Sequence, residues 1–321
     1  MTFAGSPDRV EAQLVPERGY VFDGFAISGL PRRPGLALVR SLGRALAAPA
    51  ACLRILERRH PDVVLGGGGY VAGPMVLAAW LRGIPATVTE ADAHLGLANR
   101  LAAPFARRVF LALPLRRDGG KYAAVGRPVP AASRAVERDV ARARLGLPAA
   151  GPVVLVFGGS LGARLLNEVA LEAWGESGPA VLHLCGRRDF DELRARVSRP
   201  DYHLLPFLDE IGLAYGAADI AVARAGGSVW ELAAAGLPAV LVPGEFATGG
   251  HQEKNARWFE QAGGAVVVRE REAARAAELV GELLAQPERL QAMAAAMRAA
   301  ARPDAAEVIA DELVSLAAAR R

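Results

Sequence analysis

Short apolar runs alternate along this chain with longer segments whose apolar positions recur at helical spacing. Val63–Leu65 reads as a strand closing on Gly66, Gly67, Gly68 and Gly69. A helix over roughly Pro74 to Arg82 follows, stopped by Gly83 with Pro85 beyond it. Ala86–Thr89, ending at Glu90, and Val109–Ala112 read as the next strands. A second block has strands at 153–157, 180–184, 203–205, 219–222, 239–242 and 265–268, separated by helices at 162–174, 188–197, 209–216, 228–235 and 251–262. Strands that alternate with helices form parallel sheets, because each helix carries the chain back to the end where the previous strand began. The fold class is α/β in two domains, 1–127 and 151–302. Between them Gly126–Pro130 and Pro148–Gly151 bracket a charged helix, so 128–150 reads as a linker region. The Ala-rich tail after 271 reads as two or three helices broken at Pro287 and Pro303.

Composition narrows the picture. A chain of 321 residues, 52% hydrophobic, can build two globular cores. Aromatics are 6% and do not interleave with the basic residues, which argues against nucleic acid as a partner. The net charge of +4 fits ordinary solubility, and fits attraction to an anionic lipid surface or a pyrophosphate. Cys52 and Cys185 lack metal-ligand spacing and read as buried thiols of a reducing compartment. No run approaches the ~18 apolar residues of a membrane span. The first residues, MTFAGSPDRVEAQ, have no basic stretch ahead of an apolar core, so no signal peptide is expected and a cytoplasmic location is. MTFAG reads as a strand followed directly by a helix-like PDRVEAQLV. The strand, glycine loop and helix that usually open a nucleotide-binding domain are absent ahead of it.

Two turns carry the chemistry. Gly158-Gly159-Ser160-Leu161-Gly162-Ala163 follows the apolar strand 153–157, and Ala225-Gly226-Gly227-Ser228 precedes a helix with Glu231 in its first turn. Unpaired N–H groups and the helix dipole favour an anion at such helix starts. A carboxylate at Glu231 can accept ribose hydroxyls, so a nucleoside diphosphate is a better fit than bare phosphate. In Gly35–Ala48, Leu36, Val39, Leu42 and Leu46 recur near helical spacing with Arg32, Arg33, Arg40 and Arg44 beside them. That pattern serves a helix packed on its own core or one facing a membrane. Trp80, in LAAWLRG, offers an interfacial aromatic.

These stretches together resemble the MurG family of bacterial glycosyltransferases. The resemblance runs through LVPERGY (14–20), SGLPRR (28–33), PDVVLGGGGYVAGP (61–74), GIPATVTEADAHLGLANR (83–100), GRPVP (126–130), VFGGSLGARLLNE (156–168), the long run 206–243 and HQEKNA (251–256). It implies the GT-B architecture: two Rossmann-like domains facing across a cleft, with the last helix, 303–321, returning to the first. It implies inverting transfer of N-acetylglucosamine from UDP to undecaprenyl-pyrophosphoryl-MurNAc-pentapeptide (lipid I), by a peripheral enzyme on the cytoplasmic face of the cell membrane. By position it assigns UDP-GlcNAc contacts to Gly159, Ser160, Gly162, Asn167, Leu208, Gly226, Gly227, Ser228, Glu231, Gln252 and Asn255, with Gln252 and Asn255 facing the sugar. Gly68, Gly69 and Tyr70 match a loop on the acceptor side, and the resemblance also favours the membrane reading of Leu36–Leu46 and Trp80.

The chain departs from the family pattern in places. The opening strand and GGTGGH loop, whose His is often proposed as the base, are absent. Glu90-Ala91-Asp92 stands for EQN. In GNPVR, the Asn is Arg127 and the final Arg is Pro130. Asp92, and after it His94, are the remaining bases on this reading. Helix N-termini at 160–163 and 228–231 can stabilise the leaving diphosphate, so neither a metal nor another cofactor is expected. The alternatives are a catalytically impaired or non-enzymatic UDP-sugar-binding chain, a GT-B transferase with another acceptor, and a UDP-sugar epimerase of similar architecture.

Overall fold

A computed structural model describes the chain except for residues 30–34, 116–118, 160–161, 246–249 and 321, and the side chains of 36–39 and 42. It divides into two compact units, Met1–Gly126 with Asp304–Arg321, and Arg127–Pro303.

In the first unit, β1 (Thr2–Gly5) pairs in parallel with β2 (Val21–Gly24) across α1 (Glu11–Glu17). The long α2 (Leu36–Arg59) leads to a parallel sheet of β3 (Val64–Gly66), β4 (Ala86–Glu90), β5 (Arg108–Leu111) and β6 (Tyr122–Ala124), in that order. α3 (Gly69–Leu81) and α4 (Leu97–Ala102) link its strands, and the final α13 (Ala305–Ala318) belongs to this unit, with Arg108 Nε donating to Glu312 at 2.6 Å. α2 has two regimes. Ala48, Cys52, Ile55 and Leu56 are buried against the core that includes Val76 and Ala79 of α3, whereas Arg40, Arg44 and Leu46 are exposed. α3 starts at the glycine turn rather than near Pro74. That proline falls in its second turn, where it forfeits one backbone hydrogen bond without ending the helix. β2 and β6 were not expected: one carries Asp23 and a terminal glycine, and the other reads only Tyr-Ala-Ala, so neither shows an apolar run.

The second unit holds α5 (Arg138–Leu145), β7 (Val153–Phe157), α6 (Arg164–Trp174), β8 (Ala180–Leu184), α7 (Phe190–Arg194), β9 (Tyr202–Leu205), α8 (Ile211–Ala217), β10 (Ile220–Ala223), α9 (Ser228–Ala235), β11 (Ala239–Leu241), α10 (His251–Gln261), β12 (Ala265–Val267), α11 (Arg275–Leu284) and α12 (Pro287–Ala300). Its six parallel strands are ordered β9-β8-β7-β10-β11-β12, the doubly wound Rossmann order. β7, β8 and β10 are buried along their whole length, which is why they read as unbroken apolar runs.

The expectation that 128–150 is a linker is corrected. Arg142 of α5 is 1% exposed. Its guanidinium donates to the carbonyls of Pro148, Ala149, Gly151 and Ala217 and to the Asp219 carboxylate, at 2.9–3.1 Å. Asp219 in turn accepts from the Val153 N–H at 2.8 Å. A buried charge with its hydrogen bonds met this fully is an anchor, so the segment is part of the second unit.

Candidate functional site

In a doubly wound sheet the strand order reverses at one point, and the loops leaving the two strands there diverge to opposite faces. Here that point is the β7–β10 pair, in register from Val154–Ile220 to Phe157–Ala223. The two glycine turns leave the ends of these strands. A cavity of about 280 Å³ lies beside them, lined by Gly159, Leu208, Ser228 and Glu231 among others. Phe157 and Tyr215 form one wall, with ring centroids 6.1 Å apart. The Tyr215 hydroxyl donates to Glu231 Oε2 at 2.7 Å, which fixes the carboxylate toward the cavity. Burial, reinforced by the Glu231 charge, pushes the Tyr215 hydroxyl well above its ordinary pKa, so it stays a donor.

The turn after β7 can exist only without side chains at two positions. A Cβ on Gly158 would lie 2.3 Å from that of Ala163, and one on Gly162 would lie 2.1 Å from the Cys185 carbonyl oxygen. Ser160, between them, lies outside the described residues.

Asn167 is assigned differently from the sequence expectation. It is 0% exposed on α6, behind the turn. Its amide donates to Cys185 O at 3.0 Å and Asp189 Oδ2 at 3.1 Å, and its Oδ1 faces His183 Nε2 at 3.0 Å. With the amide nitrogen spent on two acceptors, Oδ1 must accept, so His183 carries its proton on Nε2. His183 Nδ1 then accepts from the Tyr202 hydroxyl at 2.8 Å. Asp189 is held by Arg188 on its other side. Asn167 is thus one link in a closed buried chain under the glycine turn, and it has no surface to offer a ligand.

Gln252 and Asn255, at the start of α10, both make hydrogen bonds to backbone. Gln252 Oε1 accepts from the Gly244 N–H at 2.8 Å. Asn255 is 2% exposed and donates to the Ala225 carbonyl at 3.3 Å, pinning the second glycine turn from beneath. Gly226 and Gly227 form that turn, and Ser228 begins α9.

In the first unit two loops come together. Gly68 and Gly69 open α3, and a Cβ on Gly68 would lie 3.5 Å from Thr89 O at the end of β4. Tyr70 accepts from Arg9 Nε at 3.1 Å. The loop bearing Asp92 and His94 is tied by Glu90, whose carboxylate accepts from the N–H groups of Asp92 and Gly96 and from the Asn99 amide, at 3.2, 2.8 and 2.9 Å. The role of Glu90 was not anticipated; a carboxylate at a strand end six residues before a glycine gives no sign of it in sequence. Tyr215 was also missed, because it sits in a helix whose apolar face accounts for it equally well.

Leu46 is 84% exposed and Trp80 53%, the latter against Phe105 with ring centroids 5.1 Å apart. The side chains of Leu36, Val39 and Leu42, and all of Arg32 and Arg33, lie outside the described residues. No described helix is long and apolar enough to cross a membrane.

Residues 2–111 match the glycosyltransferase family 28 N-terminal domain and residues 153–309 its C-terminal domain. The UDP-N-acetylglucosamine–N-acetylmuramyl-(pentapeptide) pyrophosphoryl-undecaprenol N-acetylglucosamine transferase of Salinibacter ruber is 39% identical, covering 99% of this chain and 88% of that protein. The transferase of the same name from Acidithiobacillus ferrooxidans is 40% identical over 99% of this chain and 90% of its own length. The crystal structure of Acinetobacter baumannii MurG superposes with a TM-score of 0.79 at 27% identity, covering 98% of this chain and 90% of that one.

The buried chain gives a pH signature. Burial lowers the His183 pKa from 6.5 to about 3. Below pH 6.5 the unfolded chain takes up a proton that the folded one refuses. The stability held by neutral His183 is therefore complete above that pH and drains as pH falls toward 3. Urea unfolding between pH 7 and pH 5 is expected to show this loss in the wild type and a shallower one in His183→Gln. Parallel profiles would remove His183 as its source.

Proposed function

This chain belongs to the MurG family within glycosyltransferase family 28, with the GT-B fold, and from that premise we propose how its residues divide the reaction. It is an N-acetylglucosaminyltransferase of peptidoglycan synthesis, moving N-acetylglucosamine from UDP to the undecaprenyl-pyrophosphoryl-MurNAc-pentapeptide. The observation that carries the division is the Tyr215–Glu231 hydrogen bond in a cavity flanked by two helix starts at the strand-order reversal. Uracil lies against the Leu208 segment and the Phe157 ring, and the ribose diol meets Glu231. The diphosphate takes N–H groups at Gly159, Gly162 and Gly226–Ser228.

In the transfer, an acceptor hydroxyl attacks the anomeric carbon, the bond from that carbon to the diphosphate oxygen breaks, and UDP departs with inversion. Negative charge grows on the diphosphate, where the starts of α6 and α9 stabilise it by electrostatics already in place, without a metal. The attacking hydroxyl loses its proton to Asp92, whose loop Glu90 holds in one conformation, with His94 as the second choice. Gly68, Gly69 and Tyr70 line the acceptor side. Leu46, Trp80, Arg40 and Arg44 face an anionic membrane surface, with the exposed half of α2 lying along it and the arginines meeting lipid headgroups.

Glu231→Ala is expected to weaken UDP binding by roughly 1–3 kcal/mol, the range for a polar ligand group left unpaired. Unchanged affinity by calorimetry would remove Glu231 from the ribose. Asp92→Asn should slow transfer to a lipid I analogue by ~10²–10⁴ while UDP affinity holds; an undiminished turnover number would pass the role of base to another group. Leu46→Glu with Trp80→Glu should reduce co-sedimentation with anionic vesicles and spare UDP binding. Undiminished sedimentation of the folded double variant would place the membrane contact elsewhere.

A further inference from the structure

A second cavity, of about 470 Å³, lies in the second unit at the end of the strands opposite the glycine turns. Asp219 and Pro238, just ahead of β10 and β11, line it, with Gly236 at the end of α9 and Leu290 and Arg298 of α12. It is larger than the donor cavity, and its volume falls in the range of small-molecule sites. No step of the transfer uses it.

Its charge is one-sided. Arg298 is laid over Gly236, whose left-handed φ of +67° ends α9: a Cβ there would lie 2.5 Å from Arg298 Nε and 2.9 Å from Cζ. The negative end of the α9 dipole favours a guanidinium at this place. The Arg298 side chain makes no hydrogen bond or ion pair among the described residues. Arg138, also in the lining, donates to Asp219 Oδ1 at 2.6 Å, and the other oxygen of that carboxylate is taken by Arg142 and the Val153 N–H. Counting the buried Arg142, three guanidinium charges stand against one carboxylate, and Asp219 is the only acid in the lining. Val136, Leu237, Pro238, Leu290 and Ala294 make the rest of the wall largely apolar.

The two cavities share a partition. Tyr215 of α8 lines both, and its hydroxyl holds Glu231 on the donor side. α8 is seated on the segment before α5: a Cβ on Gly212 would lie 2.0 Å from the Arg134 carbonyl oxygen, and one on Gly216 1.9 Å from that of Val136. In that segment Ser133 lines the donor cavity and Val136 the second one. α9 likewise runs from Ser228 at the first to Gly236 at the second.

We propose that this cavity is a second ligand site, for a small organic anion with an apolar body, and that filling it tightens donor binding. The anionic group meets the guanidiniums of Arg298 and Arg138, whose planar N–H donors suit a carboxylate, sulfonate or phosphate. The body packs on Leu237, Leu290 and the Tyr215 ring. Packing on that ring steadies the hydroxyl that fixes Glu231, so the donor meets a carboxylate already in place. The coupling rests on the assignment of the donor to the second unit; the site itself does not.

The probe is 8-anilinonaphthalene-1-sulfonate, an aromatic sulfonate that fluoresces in apolar surroundings, titrated into the full chain with and without saturating UDP. A saturable component is expected that Arg298→Met, at an exposed position, weakens about tenfold, the scale of one charge-assisted hydrogen bond. Ala294→Trp, which fills the cavity, should remove it, and Trp80→Glu in the first unit should leave it unchanged. By calorimetry the bound probe should raise UDP affinity about fivefold, and UDP should raise probe affinity by the same factor, because such coupling is reciprocal. In Ala294→Trp the probe should have no effect on UDP. Unchanged probe binding in Arg298→Met, or its loss in Trp80→Glu, would overturn the site. Mutual weakening of probe and UDP would put the probe in the donor cavity and overturn it as well. Independent binding of the two would overturn the coupling. If wild-type protein bound the probe but not UDP, the donor assignment would fall together with the coupling, and the site would stand.

Discussion

The pairing of β7 with β10 is the constraint from which the donor half of the molecule follows. Successive parallel strands added on one side would send every connecting helix to the same face. Here the chain lays β7, β8 and β9 outward, then returns to place β10 on the other side of β7. The loops after β7 and β10 therefore part company, and a gap opens between two helix starts. The cavity, the two glycine turns and the Tyr215–Glu231 pair all occupy that gap or its rim. Hydrogen-bonded register between the two strands, from Val154 to Phe157, decides how closely the two positive helix ends approach one another.

Around this gap the side chains divide into those that face it and those that hold its walls. Asn167, His183 and Asp189 make a buried polar chain under the first turn, and Asn255 reaches the carbonyl before the second. The Asn255 amide satisfies the Ala225 carbonyl behind the second turn, and the Asn167 amide, below the first, is used up on the Cys185 carbonyl and the Asp189 carboxylate. In the first unit Glu90 ties the loop that carries Asp92, one carboxylate gathering two N–H groups of the loop and the Asn99 amide of α4. Preorganisation here is a matter of buried acceptors and donors being used up, so that the loops have no cheaper conformation to adopt.

Much of the second unit was legible from the chain alone, because fully buried parallel strands announce themselves. Val153–Phe157 and Ala180–Leu184 are unbroken apolar runs, and the helix at 228–235 is bounded by Ser228 and Gly236. β2 and β6 were illegible for the complementary reason: Asp23 and the small residues of Tyr122–Ala124 make no apolar signal, and partners in space define those strands. In the site, the glycines and Glu231 were readable because backbone geometry and charge at a helix start are local properties. Asn167 and Asn255 hold buried backbone carbonyls, a role the sequence did not show, because a polar side chain in a motif looks the same whether it meets a ligand or a carbonyl behind the turn. Tyr215 and Glu90 escaped notice because their hydrogen-bond partners, and not their sequence neighbours, give them their roles. The break expected at 128–150 failed on Arg142, whose burial no periodicity reports.

Arg142 also says where this protein can be cut. Its acceptors lie on the connection into β7, at the end of α8 and at the start of β10, up to 77 positions away in the chain. A recombinant donor half begun at residue 151, where the sheet begins, would leave Asp219 and the Ala217 carbonyl without the donor that neutralises and satisfies them. Dissection of the protein for separate study has to fall upstream of α5, which carries Arg142. One guanidinium thus makes the helix ahead of β7 inseparable from the sheet that follows it.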